Sequence, residues 1–231
     1  MMPTHCFLAF LLSFYLPGVE ETRPDPESLK PQRVHFQSRN FHNILHWQPG
    51  HACSSNSSIY SVQYKMYGQQ QWKNKENCQS IQKFFCDLTN ETSDIYEPYY
   101  GRVRMTSAGI HSGWSMTKRF TPLWETKLDS PVLNVTRVNG SLLVILHAPY
   151  FPYRNPKGKN SLMENYYELV YRVFMINNSL RKEDKVYEGV EKVIEIEAIT
   201  PHSFYCVAAE IYQPMLDRRS QRSKERCVLI P

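Results

Sequence analysis

The chain has 231 residues and a formal charge of +5, and Trp, Tyr and Phe supply 13% of it. That length suits one or two domains with cores built on large rings. Tyr, Thr and β-branched residues recur in short runs and no apolar run keeps a helical period for long, which argues against a helical protein and for an all-β fold.

At the N-terminus, Phe7 to Leu16 forms an apolar core of signal-peptide length followed by Pro17 and Gly18, although no Lys or Arg precedes it. Residues 1–21 are read as a secretory signal, cleaved between Gly18 and Glu21. Its removal takes away Glu20 and Glu21 and leaves 27 basic against 20 acidic residues, +7. Such an excess suits an acidic partner or a sulphated glycan, and equally a merely solvated surface. No later segment approaches the run of about 18 apolar residues of a membrane span. The expected product is secreted and carries no membrane anchor. Five N-x-S/T motifs, at Asn56, Asn90, Asn134, Asn139 and Asn177, agree with that compartment as glycosylation sites.

Cys6 leaves with the signal, and five cysteines remain. Cys78 is paired with Cys86 and Cys206 with Cys227, because each pair falls within one half of the chain. Loop entropy makes these staples worth about 2.6 and 3.4 kcal/mol. Cys53 is then left free or links two molecules. No CxxC or His/Cys cluster is present, and His42 and His46 lie on a segment that does not look helical, so no metal and no cofactor are expected.

In chain order, Thr22 to Leu29 is Pro- and acid-rich and reads as disordered. Pro31 to Gln37 opens the first folded unit. In the next strand Asn43, Leu45 and Trp47 share one face, and Pro49 ends it. Tyr60 to Met66 alternates cleanly and ends in Tyr67-Gly68. Cys78 and Cys86 bracket a turn, and Asp87 to Thr92 carries a glycosylation motif. From Tyr99 to Met105 the odd positions form an apolar row, while Arg102 and Arg104 lie on the other face. A following strand with Trp114 can lay its indole across those guanidiniums, at about 0.5–2 kcal/mol per contact. Gly109 to Gly113 is a turn. Thr121-Pro122 to Ser130-Pro131 punctuates the chain, giving domains over 30–126 and 127–231.

The second half repeats the first. Pro31 and Pro131 open the two halves, Trp47-Gln48-Pro49 returns as His147-Ala148-Pro149, and Tyr60-x-Val62-x-Tyr64 returns as Tyr167-x-Leu169-x-Tyr171. His147 is accordingly expected inside, and the extra residues are assigned to a long polar loop over Tyr150 to Asn165. Pro201 stands four residues before Tyr205 at the start of an alternating strand, and Pro98 precedes Tyr99. Both tyrosines read as tyrosine corners, and two tandem fibronectin type III-like β-sandwiches follow.

Two such domains carrying Pro98-Tyr-Tyr-Gly-Arg-Val-Arg104, Ser112-x-Trp114-Ser115 and Arg119-Phe-Thr-Pro122 resemble a class II cytokine receptor ectodomain. The similarity spans roughly Lys30 to Pro231. It implies a decoy that captures a helical cytokine resembling interleukin-22 at the elbow between the domains, using loops from both. Cys53 departs from the expected two-disulfide pattern. Tyr67 and Gly68 match the family's anchor, a ring on a loop beside a residue that lets backbone approach, a hot spot worth about 2–4 kcal/mol. Arg119 matches a cation that reaches the cytokine. Tyr212, Gln213, Pro214 and Met215 form a second loop of interface-type residues, and the stretch around Tyr150 to Tyr153 is a weaker candidate.

Each position has a plainer alternative. Tyr67 caps its strand, Arg119 pairs with Glu125, and Tyr212 to Met215 pack on their own domain. Arg218, Arg219, Arg222, Lys224 and Arg226 suit weak contact with a glycosaminoglycan, or form a solvated turn. No G-x-S-x-G elbow, HExxH, P-loop or dinucleotide turn occurs, so neither enzyme activity nor a nucleic-acid partner is expected. A membrane-tethered protease cofactor of the tissue-factor type shares the domain pair and is the alternative binding role.

Overall fold

The computed structural model describes residues 25–51, 58–154, 158–163, 168–177, 182–197 and 200–230. The signal segment, Cys53, Asn56 and Tyr167 lie outside them. Two β-sandwiches follow one another. In the first, β1 (Gln32–Arg39), β2 (His42–Gln48) and β5 (Phe85–Asp87) form one sheet. The facing sheet runs β4 (Lys73–Asn74), β3 (Ile59–Met66), β6 (Tyr99–Ser107), β7 (Ile110–His111), with β8 (Ser115–Met116) also paired to β6. Leu45 and Trp47 from one sheet meet Tyr60, Val62, Val103 and Met105 from the other in a closed core. The alternation on β2 and β6 is complete, with Asn43, Leu45 and Trp47 buried on β2 and every odd position of β6 buried.

A one-turn helix, α1 (Pro122–Glu125), joins the halves. In the second sandwich β9 (Val132–Val138), β10 (Ser141–His147) and β15 (Val193–Ile196) face a larger sheet. That sheet runs β14 (Lys182–Gly189), β13 (Val170–Asn177), β16 (Phe204–Gln213), β17 (Arg218–Arg219), with β18 (Arg226–Leu229) also on β16. A separate hairpin pairs β11 (Tyr150–Arg154) with β12 (Asn160–Leu162). The β9–β10 turn is Asn139-Gly140, both at positive φ (46° and 84°), the conformation a two-residue hairpin requires.

Both corner tyrosines are in place. The Tyr99 hydroxyl donates to the Asp94 carbonyl oxygen at 3.1 Å, and the Tyr205 hydroxyl accepts from the Thr200 N–H at 3.1 Å. Among the described residues each domain holds one disulfide, Cys78–Cys86 and Cys206–Cys227. On the outer face of the first domain Trp114 lies under both Arg102 (4.4 Å) and Arg104 (4.9 Å). Trp72 extends the stack, 4.1 Å from Arg102 and 5.0 Å from Lys65.

Four details differ from the sequence reading. Leu29 is not part of a disordered tail: it is 1% exposed and belongs to the first core, entered through a turn in which Ser28 N–H donates to the Asp25 carbonyl. The stretch from Tyr150 is a strand hairpin with Phe151 buried, not a polar loop. His147 is exposed, whereas Leu146 and Ala148 beside it are buried, so the repeat drawn at Trp47 is out of phase. Finally, Tyr60 pairs with Met105, six residues after its corner, and Tyr171 pairs with Ile211, six after the second corner. The counterpart of Tyr60 is therefore Tyr171, not Tyr167. A strand displaced by four residues keeps the same face inward, and a period-two pattern cannot detect the shift.

Candidate functional site

The elbow between the sandwiches is a built joint. Phe120 exchanges backbone hydrogen bonds with Tyr99 (2.7 and 2.9 Å), and Pro122 then starts α1, where its missing N–H costs nothing. Glu125 reaches back to accept the Thr121 N–H at 2.7 Å. The Leu123 N–H donates to Ile95 O (2.9 Å), Lys127 to Ser38 O (3.0 Å) and Asn40 to Lys127 O (2.9 Å). From the second domain, one nitrogen of Arg218 donates to the carbonyls of Leu123 and Thr126, each at 2.8 Å. Asp129 accepts from the Asn40 amide and from Arg39, and its own N–H donates to Asn40 Oδ1.

The joint is also apolar. Phe41, at the tip of the β1–β2 hairpin, has φ +65°, a conformation a bulky residue adopts only when its surroundings compel it. Its ring is fully buried and meets Phe151 edge-on. Phe41, Ile95, Leu123 and Leu128 all belong to the cluster that forms the core of the second domain. Beside them, Asn43 is fully buried, accepting from Ser38 Oγ (2.6 Å) and donating to Thr92 Oγ1 (2.8 Å), whose hydroxyl donates to Leu88 O. Burial, then the Asp94 charge, pushes the Tyr99 hydroxyl up to about 12. Burial, then Tyr99 itself, pushes Tyr153 well above the ordinary tyrosine range. At neutral pH both are firmly protonated and act as donors.

Around this joint stand the residues singled out in the sequence. The Tyr67 N–H is held by Pro98 O at 2.7 Å, but its ring is 57% exposed, tilted against Tyr100 at 6.4 Å. Gly68 has φ +82° and open space where a Cβ would sit, so backbone conformation rather than room requires glycine. Arg119 is exposed and lines a shallow cleft of about 390 Å³ with Arg33, His35 and Glu125. Since the Glu125 carboxylate is turned to the Thr121 N–H, no ion pair joins Arg119 to Glu125 among the described residues.

The second loop divides. Pro214 is exposed and Met215 is 84% exposed. Gln213, however, is buried, and its side-chain carbonyl accepts from Arg218 at 2.6 Å, which ties the loop to the elbow. Tyr212 is half-buried beneath Arg172 (3.7 Å), its hydroxyl donating to Asp217. Tyr150 is 62% exposed, while Tyr153 turns inward to bond Thr89 O.

The sequence reading missed Trp124 and Tyr96, 65% and 66% exposed, on α1 and on the turn that Leu123 bonds to. Trp124 falls in a segment read only as a linker, and an exposed indole within Pro-Leu-Trp-Glu was the available signal. It also treated the basic run as one feature. Arg218 is committed to the elbow. Arg222 lies over Phe174 (3.9 Å) and pairs with Glu183 (2.9 Å) and Glu210 (3.9 Å), which leaves Arg219, Lys224 and Arg226 exposed. Of the glycosylation motifs, Asn90, Asn134 and Asn139 are exposed and Asn177 is half-buried on β13. Among the described residues, no helix is long and apolar enough to cross a membrane.

Comparison with known proteins agrees with this architecture. Residues 7–114 match the tissue factor family model and residues 126–231 the fibronectin type III model of the interferon-alpha/beta receptor. Human interleukin-22 receptor subunit alpha-2 is 63% identical over 263 aligned residues covering all of both chains. The chain belongs to the class II cytokine receptor family. The rat subunit alpha-2 is likewise 63% identical over 230 residues. Bovine interleukin-22 receptor subunit alpha-1 is 36% identical over 82% of this chain, which spans 32% of that longer receptor. Among solved structures of the family, the chicken interferon gamma receptor alpha chain superposes with a TM-score of 0.71 at 25% identity. That match covers 87% of this chain and 98% of the receptor's.

Proposed function

We propose that the protein is a secreted decoy receptor that captures a helical cytokine resembling interleukin-22 at the elbow and blocks its engagement of the membrane receptor. The observation that carries this reading is the 63% identity, end to end, with a subunit named for interleukin-22. The elbow is suited to the task. Tyr67 supplies an aromatic anchor, Gly68 allows close approach of backbone, Arg119 offers a cation, and Pro214 with Met215 gives an adaptable apolar edge. Tyr212 and Gln213 support that edge from beneath. A rigid joint lowers the entropy lost on binding, because its loops are already ordered. Secretion is supported by the two disulfides, which persist in oxidising compartments. Capture without catalysis makes the protein an inhibitor of signalling and not an enzyme. Weak contact of the C-terminal run with sulphated glycans enters this reading only through Arg219, Lys224 and Arg226.

The test is to immobilise the full chain, pass interleukin-22 over it, and add the protein to cells that carry the membrane receptor. Retention together with dose-dependent loss of the cellular response is expected. Failure to retain the cytokine overturns the reading. Retention with an undiminished response overturns the decoy role and leaves a carrier.

A further inference from the structure

The two domains carry similar cation–aromatic stacks on their outer faces but treat their charge oppositely. In the second domain Arg172 lies over Tyr212 and Arg222 over Phe174. Carboxylates answer both: Glu188 (2.9 Å) and Glu210 (3.6 Å) for Arg172, Glu183 and Glu210 for Arg222. In the first domain Lys65, Arg102 and Arg104 form the row with Trp72 and Trp114. Among the described residues, no ion pair involves any of these three cations. The outward positions of β3 are Ile59, Ser61, Gln63 and Lys65, and those of β6 are Tyr100, Arg102, Arg104 and Thr106, without one carboxylate.

Among the described residues the Arg102 guanidinium hydrogen-bonds the neutral side-chain carbonyl of Gln63, through two of its nitrogens (2.8 and 2.5 Å). Its pKa is lowered by burial and by the like charge of Arg104. The buried Nε of Arg104 has no hydrogen-bond partner. The indoles therefore hold a row of cations side by side, and among the described residues no carboxylate pairs with them. Arg102 and Arg104 are two residues apart on one strand, roughly 6.6 Å, a spacing suited to successive anionic groups on an extended chain.

We infer that this face of the first domain is a docking surface for a sulphated glycosaminoglycan. The occupant follows from charge and compartment. The row complements a linear polyanion, guanidinium forks match planar oxyanion groups, and the disulfides mark an oxidising setting, where sulphated glycans are the abundant linear polyanions. The surface belongs to the β3–β6 sheet face and does not depend on the cytokine reading.

The experiment is salt elution of the intact chain from immobilised heparin, compared with a sulphopropyl resin and followed by competition in solution. Wild type is expected to leave heparin at the higher salt, and soluble heparin is expected to displace it where desulphated heparin does not. Lys65→Gln at the end of the row and Arg104→Gln within it should each weaken heparin binding roughly fivefold, the effect of one cation near a polyanionic surface. Arg226→Gln and Lys224→Gln should each weaken it by less than roughly twofold, because the C-terminal run makes only a weak contact. Lys65→Gln leaves the Trp114 stack intact, so it reports on binding even if Arg104→Gln fails to fold. Equal elution from the two resins, wild-type affinity in folded Lys65→Gln, loss confined to the C-terminal variants, or equal displacement by single-stranded DNA would each overturn the proposal.

Discussion

Phe41 and Phe151 meet edge-on with ring centroids 5.2 Å apart, and the two rings belong to different domains. The contact holds Phe41 in a left-handed backbone conformation and joins the hairpin of the first sandwich to the core of the second. Phe41→Ala should cost about 3–5 kcal/mol, the usual loss for emptying a buried aromatic site. Phe41→Gly would relieve the backbone strain yet lose the same ring. Urea unfolding monitored separately in each domain checks this: both should lose stability, although the residue lies in only one.

The buried Asn43–Thr92 pair gives a second prediction, in which glycan and fold are separable. Thr92 is the hydroxyl residue of the Asn90 motif and also accepts the Asn43 amide. Thr92→Ala removes both roles and should destabilise by about 1–3 kcal/mol, because a fully buried amide loses its acceptor. Asn90→Gln abolishes only the attachment site, on an exposed side chain, and should leave the melting temperature of unglycosylated protein within about 1 °C of wild type. Scanning calorimetry of the two variants distinguishes them.

Stability should fall at high pH through the elbow tyrosines. Tyr99 is raised from 10 to about 12 in the folded chain, so the native state holds its proton where the unfolded chain releases it. The associated stability is fully present below pH 10 and is lost as pH rises towards 12. Tyr153 acts in the same direction. Tyr99→Phe should flatten the decline in unfolding free energy between pH 9 and 11, measured by denaturant titration at stepped pH.

On the candidate site, Tyr67→Ala is expected to lose more than tenfold in affinity for interleukin-22, mainly through faster dissociation. Trp124→Ala, on the exposed face of α1, should also weaken binding without lowering the melting temperature. Gln213→Ala should act differently: by removing one acceptor of Arg218 at the elbow it lowers stability first and affinity as a consequence. Surface plasmon resonance alongside thermal melts separates these outcomes.

What the sequence revealed follows what local pattern can encode. The inward row of β6, the two tyrosine corners and the stacking of Arg102 and Arg104 on Trp114 are statements about residues two apart or beside a turn. Period-two alternation and Pro-Tyr spacing carry them. Trp72 escaped because the neighbouring strand β4 has only two residues and shows no alternation. The four-residue displacement of Tyr60 against Tyr171 escaped because an even shift leaves the inward face unchanged, and His147 was misplaced because the repeat was drawn out of phase. The joint itself was illegible. Phe41, Tyr153 and Arg218 act through partners 60 or more residues away, and nothing adjacent to them in the chain announces those contacts. The burial of Gln213 follows from Arg218, only five residues away but itself fixed by the distant carbonyls of Leu123 and Thr126.

The hydrophobic continuity at the joint bears on how the chain can be divided. Phe41, Ile95, Leu123 and Leu128 lie on the N-terminal side of Ser130 yet are packed within the second domain's interior. A fragment ending at the linker would turn a phenylalanine and an isoleucine out to water, and the complementary fragment would open a trough lined by Phe151. Each half, made separately, gains a sticky surface that the intact molecule lacks. The two sandwiches are thus halves of one cooperative body, and the angle between them is as much a part of the native structure as the interior of either.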